Sequence, residues 1–358
     1  MKTSTHLVLI TVLLLITTTA HAQNLIAVQN SNTPSFYTSL DSAIVHAANG
    51  DTIYIPGGNF ALNTNISKRL HIIGVGYHPD STLVTNPTNI MNSLFLITGA
   101  SGGSLMGVKL NGDLQFGTTS ENGNITNYTL ARCYVGCVYS LSNLSTKNLF
   151  YENVLTSSGN GRYMSVNMSS AESNYFYNNI ITGGYGGMDA FTVYGIGNGS
   201  IFKNNIFINN ASRGDLVSAN YSVFENNIFS SSGLFHPNYP VSNNIFNNNL
   251  IATSNGYYFG SNWNNTGINN IFEQPETSIF VNKTSNSFDY TQDYHLQPTC
   301  PGKNAGKDGT DVGIYGGLYP WKAGSIPSNP HIQTMKIAPQ TDANGNLNVN
   351  IKVKAQDN

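Results

Sequence analysis

Arg162, Asp189, Arg213, Asp215, His236 and Tyr258 are the residues best suited to chemistry in this chain of 358. Only 9% of the residues are charged, against the usual quarter or so, so two Arg, two Asp and one His at matching places in successive repeats form a notable strip. Lining one groove, they would offer what acidic-sugar chemistry needs. Asp189 and Asp215 are carboxylates able to hold a hard cation such as Ca²⁺ against a uronate. Arg162 or Arg213 would neutralise the substrate acid, and His236 would serve as general acid or base. A two-carboxylate glycosidase needs its acids roughly 5–10 Å apart; acids one rung apart, about 4.8 Å, fall just short and two rungs fit, so spacing alone does not decide. Binding without catalysis, or a solvated face with internal pairs, explains the same strip. Tyr257, Tyr258 and Trp263, in a stretch rich in Gly, Asn and Ser, would offer flat faces to sugar rings or pack as loop aromatics.

What positions these residues is a phrase that returns through the middle of the chain. It reads Phe-Tyr-Glu-Asn-Val-Leu at 150–155, Phe-Tyr-Asn-Asn-Ile-Ile at 176–181, Phe-Lys-Asn-Asn-Ile-Phe at 202–207 and Phe-Glu-Asn-Asn-Ile-Phe at 224–229. Phe-Asn-Asn-Asn-Leu-Ile at 246–251 and Ile-Asn-Asn-Ile-Phe at 268–272 continue it. The second Asn marks each copy: Asn153, Asn179, Asn205, Asn227, Asn249 and Asn270, with steps by subtraction of 26, 26, 22, 22 and 21 residues. The chemical strip lies eight to ten residues past these markers, and weaker copies extend upstream to Arg132 and Gly107. A period in the low twenties without a helical pattern inside it predicts a solenoid of β-coils. Asn suits the marker because it tolerates the left-handed conformation of a sharp bend and its amide can bond the next Asn in the stack. Phe three before and Val, Ile or Leu one after would fill the interior. Two before the marker, Lys203 and Glu225 would stand on adjacent rungs and pair.

The remaining chain fits this plan. Residues 1–22 read as a secretory signal: Lys2, an apolar run from Leu7 to Ile16, and Ala20-His21-Ala22 as the cleavage site. The apolar run is too short for a membrane span, so an exported product, soluble or surface-associated, is expected. A net charge of −2 gives no footprint for nucleic acid or an anionic membrane; about one residue in seven is Asn, and large polar, uncharged faces suit glycans. Cys133, Cys137 and Cys300 are too few for a disulfide framework, and Cys133 reads as a small core residue. The histidines, among them His46, His71, His78, His295 and His331, show no metal-ligand spacing. Residues 36–48 read as a short amphipathic helix with Leu40, Ala43, Ile44 and Ala47 on one face, capped by Thr38 or Ser39. Ile332–Ala338 and Leu347–Val353 alternate around Asn344-Gly345 and read as a hairpin that would dock on the last coil or else begin an attachment module.

Asn49-Gly-Asp-Thr-Ile-Tyr-Ile-Pro-Gly-Gly after a short helix, followed by Ile72-Ile-Gly-Val-Gly, resembles the entry of right-handed parallel β-helix proteins of the pectate-lyase-like superfamily. Asp293-Tyr-His-Leu-Gln-Pro-Thr-Cys-Pro-Gly-Lys-Asn-Ala-Gly and Asp311-Val-Gly-Ile-Tyr-Gly-Gly resemble the closing coil of secreted bacterial members, with departures at Cys300 and Lys303. The resemblance implies an all-β, right-handed parallel β-helix of about nine to eleven coils over 23–324. The helix at 36–48 would cap it, and a hairpin tail would occupy 325–358. It implies fold rather than activity: lyases, hydrolases, esterases, epimerases and non-catalytic adhesins share it. In lyases of this kind an Arg takes the proton α to the uronate, but no residue here matches a catalytic motif one by one. The clustered carboxylates of calcium-dependent lyases and the short Asp motifs of hydrolases are missing from the sequence. The expectation is therefore a secreted or surface polysaccharide-binding or adhesin-like scaffold without cofactor. The alternative is a lyase or hydrolase of uronic-acid glycans, with Ca²⁺ if a lyase.

Overall fold

The structure is a computed structural model. It describes residues 25–30, 33–121, 123–142, 144–157, 164–168, 171–183, 192–209, 217–230, 241–252 and 263–355. Short strands assemble into a parallel β-solenoid with three sheets. Among the described residues the first has twelve strands, the second nine and the third six. Two of the twelve, Ile26–Gln29 and Pro34–Tyr37, pair antiparallel at the start. The other ten, from Thr52–Tyr54 to Thr266–Ile268, are parallel rungs.

The repeated phrase forms the bend from the first sheet into the second. Marker residues are fully buried from Asn153 to Asn249, and their amides form a ladder. In the Asn205 rung, Nδ2 donates to Phe176 O at 2.8 Å and to Asn227 Oδ1 at 3.0 Å. Its Oδ1 accepts from the Asn179 backbone N–H and Nδ2 at 2.9 and 3.0 Å. Each buried amide is thus fully satisfied by its two neighbours, which is why Asn recurs. The left-handed residue, however, is the one before the marker. Positive φ runs through Gly107, Arg132, Glu152, Asn178, Asn204, Asn226, Asn248 and Asn269. Arg132 and Gly107 are therefore bend residues, and Cys133 occupies the marker site, its N–H donating to Asn153 Oδ1. A second ladder in two runs, Asn148, Asn174 and Ser200, then Ser222, Asn244 and Asn265, bounds the other end of the first sheet.

Phe150, Phe176, Phe202, Phe224 and Phe246 stack inside, neighbouring centroids 4.5–4.9 Å apart. The residue two past the marker (Leu155, Ile181, Phe207, Phe229, Ile251) joins them in the lumen. The residue one past it does not, contrary to expectation. Val154, Ile180, Ile206, Ile228 and Leu250 form a separate core with Ile279, Phe280, Tyr294, Leu296, Val312 and Ile314. The second sheet is thus apolar on both faces, and the segment after residue 272 lies over its outside.

That segment then runs back along the bends as a strap. Asn248 Nδ2 donates to Ala305 O, and Asn226 Oδ1 accepts from Lys307 N–H. Asn204 Nδ2 donates to Gly313 O, and Asn178 Nδ2 to Ile314 O and Gly316 O. Further on, Lys322 reaches Glu152, and Arg132 donates to Ile326 O. Pro327 lies against Gly107, where any side chain would collide with its ring. The strap therefore ends beside the early coils. The hairpin that follows, His331–Ile337 paired with Val349–Lys354, is rooted there and not on the last coil, and Met335, Ile337, Val349, Ile351 and Val353 are exposed.

At this same early end, helix α1 (Leu40–His46) is shorter than 36–48 because Pro34–Tyr37 is a strand. Ser39 Oγ caps it by accepting from Ser42 N–H at 3.2 Å. Its Leu40, Ala43 and Ile44 belong to the lumen core. All three cysteines are free and buried.

Candidate functional site

The strip expected from the sequence, Arg162, Asp189, Arg213, Asp215 and His236, lies outside the described residues, as do Tyr257 and Tyr258. Trp263 is half-buried against the lumen core. Among the described residues, no group of three or more His, Cys, Asp or Glu gathers as a metal site.

What the structure does bring together is a groove of about 380 Å³ between the first sheet and the strap. Tyr177, Lys203, Glu225, Lys307, Asp308 and Leu318 are among its lining residues. Lys203 and Glu225 face each other because Ile201–Lys203 and Val223–Glu225 are in-register neighbours. Lys203 Nζ donates to Glu225 Oε1 at 2.9 Å, and Lys307 Nζ, from the strap, donates to Oε2 at 3.0 Å. The expected pair is thus a three-membered cluster. The Glu225 side chain is 8% exposed, while Lys203 and Lys307 are 38% and 64% exposed.

Burial alone would raise the Glu225 pKa. The hydrogen bonds and charges of Lys203 and Lys307 outweigh it and hold the carboxyl below its ordinary value. In Asp308, burial is likewise outweighed, by hydrogen bonds from the Thr310 hydroxyl and N–H and by the Lys203 charge. Both acids are anions at neutral pH. Burial, and then nearby Tyr175, Tyr319 and Glu225, push the Tyr177 phenol up, so it stays neutral. Tyr319 stacks on Tyr151 at 4.4 Å and on Tyr177 at 5.8 Å, extending an aromatic wall away from the charges.

One coil further, Arg132 and Glu152 form a fully buried pair, Nε to Oε2 at 3.2 Å, with Lys322 Nζ 3.3 Å from Oε1. This cluster fastens the strap and is closed to ligands. Lys307 and Asp308 lie outside the repeat and have no marker to index them. A signal existed: Lys303, Lys307, Asp308 and Asp311 crowd nine positions of a charge-poor chain.

The groove can bind, by ionised donors and acceptors beside a neutral aromatic face. Among the described residues its two carboxyls, Glu225 and Asp308, are both held below their ordinary pKa. No family model matches the chain, and no curated protein is detectably similar to it. Among solved structures it is similar to the catalytic domain of a GH87 α-1,3-glucanase in complex with tetrasaccharides. That match has 15% identity and a TM-score of 0.32, and covers 64% of this chain and 43% of that one. It is also similar to the Dettilon tailspike protein, with 13% identity and a TM-score of 0.33, covering 65% of this chain and 56% of that one. The chain spans about half the length of the solved chains it matches, and likeness at this level is one of fold alone.

Proposed function

We propose that the protein is a secreted or surface-displayed scaffold that binds polysaccharide without turning it over. The Lys203–Glu225–Lys307 cluster carries the proposal. Its carboxylate is held ionised between two ammonium groups, beside Tyr177 and Leu318, in a groove open to solvent. A sugar ring has an apolar C–H face and a rim of hydroxyls. Tyr177 suits the first, and the fixed ions suit the second. Export rests on the signal-like residues 1–22.

Affinity electrophoresis of residues 23–358 in gels cast with pectic, alginate, glucan, xylan and glycosaminoglycan polymers tests this. Retardation by at least one polymer, reduced in Tyr177→Ala and in Lys203→Ala, is the expected result. Reducing ends and the ultraviolet absorbance of unsaturated uronides should both stay flat, with and without calcium. A rise in either would replace the scaffold by a hydrolase or a lyase. Absence of retardation by every polymer would remove glycan binding.

A further inference from the structure

On the far side of the C-terminal segment the second core opens into a separate groove of about 220 Å³. Through most of its length this seam is aliphatic, with Ile180, Ile206, Ile228 and Leu250 covered by Ile279, Phe280, Leu296 and Val312. At the groove the lining changes. Two residues beyond Val154 and Ile180 stand Thr156 and Thr182, where the next coil has Ile208 beside Thr182. Opposite them come Asn286, Ser287 and Phe288, and Tyr134 closes the side. The Tyr134 and Phe288 rings meet edge to face at 5.9 Å and 60°.

Among the described residues, no charged side chain lines this groove. Nearby Lys283 is taken up by Glu276 Oε2 at 2.9 Å and Asn286 Oδ1 at 2.6 Å. The Lys109 ammonium lies 5.3 Å from the Tyr134 ring centroid. Two aromatic rings with hydroxyl and amide groups and no net charge match a neutral sugar: C–H groups seat on rings and hydroxyls exchange hydrogen bonds. An anionic sugar would lose hydration with no free cation among the described lining residues to replace it, since Lys283 is already paired with Glu276 and Lys109 sits over the Tyr134 ring.

We infer that the groove between Tyr134, Thr156, Ser157, Thr182 and Phe288 is a second glycan subsite, specific for an uncharged pyranose. The inference rests on the polysaccharide reading for the class of partner but not for the place, since it shares no residue with the Lys203–Glu225 groove. Two subsites on one rigid scaffold would reinforce each other on a polymer.

Calorimetric titration of residues 23–358 with cello-, xylo-, manno- and laminarihexaose, and with hexagalacturonate as the acidic control, tests it. At least one neutral hexasaccharide should bind. Phe288→Leu, which removes a ring but keeps apolar bulk, should weaken it about tenfold, the factor expected for one stacking contact. Ser157→Phe, which fills the groove from its rim, should abolish it, and Lys352→Ala, on the exposed tail hairpin, should leave it unchanged. Sensitivity to Lys203→Ala with indifference to Ser157→Phe would overturn the second site and keep the first. So would preference for the galacturonate. Retardation of the protein by a polymer without binding of any hexasaccharide would also overturn the second site. Failure of both polymers and hexasaccharides would sink both readings.

Discussion

Asn205 shows how much one side chain does in this chain. Its amide gives two hydrogen bonds and accepts two, all buried. Asn205→Ala strands the Asn179 N–H groups and the Phe176 carbonyl, at about 1–3 kcal/mol for each unsatisfied group. The unfolding free energy read from urea denaturation should fall accordingly, by about 2–4 kcal/mol in total after local relaxation. Glu225 makes a prediction in pH. Its folded pKa is lowered from the ordinary 4.5, so the protonated form is favoured in the unfolded chain. The stability it adds is present above that value and lost as pH falls through the folded pKa. Glu225→Gln should flatten the acid limb of the melting-temperature profile below about pH 4.5, relative to wild type. The ladder's spacing was plain from the sequence. Which Asn of each pair bends was not, because the left-handed bend and the ladder both favour Asn and the phrase supplies two or three in a row. Arg132 and Glu152 break that ambiguity once the structure shows both in the left-handed region.

At the scale of elements, the strap depends on the Arg132–Glu152–Lys322 cluster. A buried pair is weak evidence of net stability, but removing one partner leaves the other charged and unpaired. Glu152→Ala should therefore cost about 3–5 kcal/mol. The damage should appear first as faster protease cleavage within residues 303–327, read by mass spectrometry. Arg132→Leu combined with Glu152→Leu should recover most of the loss. If the single and the double variants prove equally unstable, the pair is not what holds the strap. The sequence showed Lys203 opposite Glu225 because rungs are local and periodic. It concealed Lys307, which arrives from 82 residues away on a segment with no repeat to index it. The hairpin's strands were legible for the converse reason: alternation and an Asn-Gly turn are local signals.

At the scale of the molecule there are two cores, one inside the coils and one beneath the returning segment. The sequence pattern placed both apolar flanks of the marker inside, because nothing local says that a sheet will be covered from without. Truncation separates the two cores. Ending the chain at residue 330 removes only the exposed hairpin and should leave the melting temperature within about 2 °C, the shift of a ΔΔG under 1 kcal/mol in a chain this size. Ending it at residue 273 uncovers Val154, Ile180, Ile206, Ile228 and Leu250 as one stripe. That product should bind anilinonaphthalene sulfonate strongly and sediment as oligomers. A monomeric, dye-silent product would show the second core to be dispensable.

The strap also alters how the protein would bear load. A bare solenoid pulled from its ends peels one coil at a time, each rung yielding alone. Here the returning chain is fastened at successive bends from Asn248 back to Gly107. Tension between the first coils and the tail is therefore shared across those attachments in shear, like a seam loaded along its stitches. A solenoid held at one end and pulled at its flank would resist as a unit.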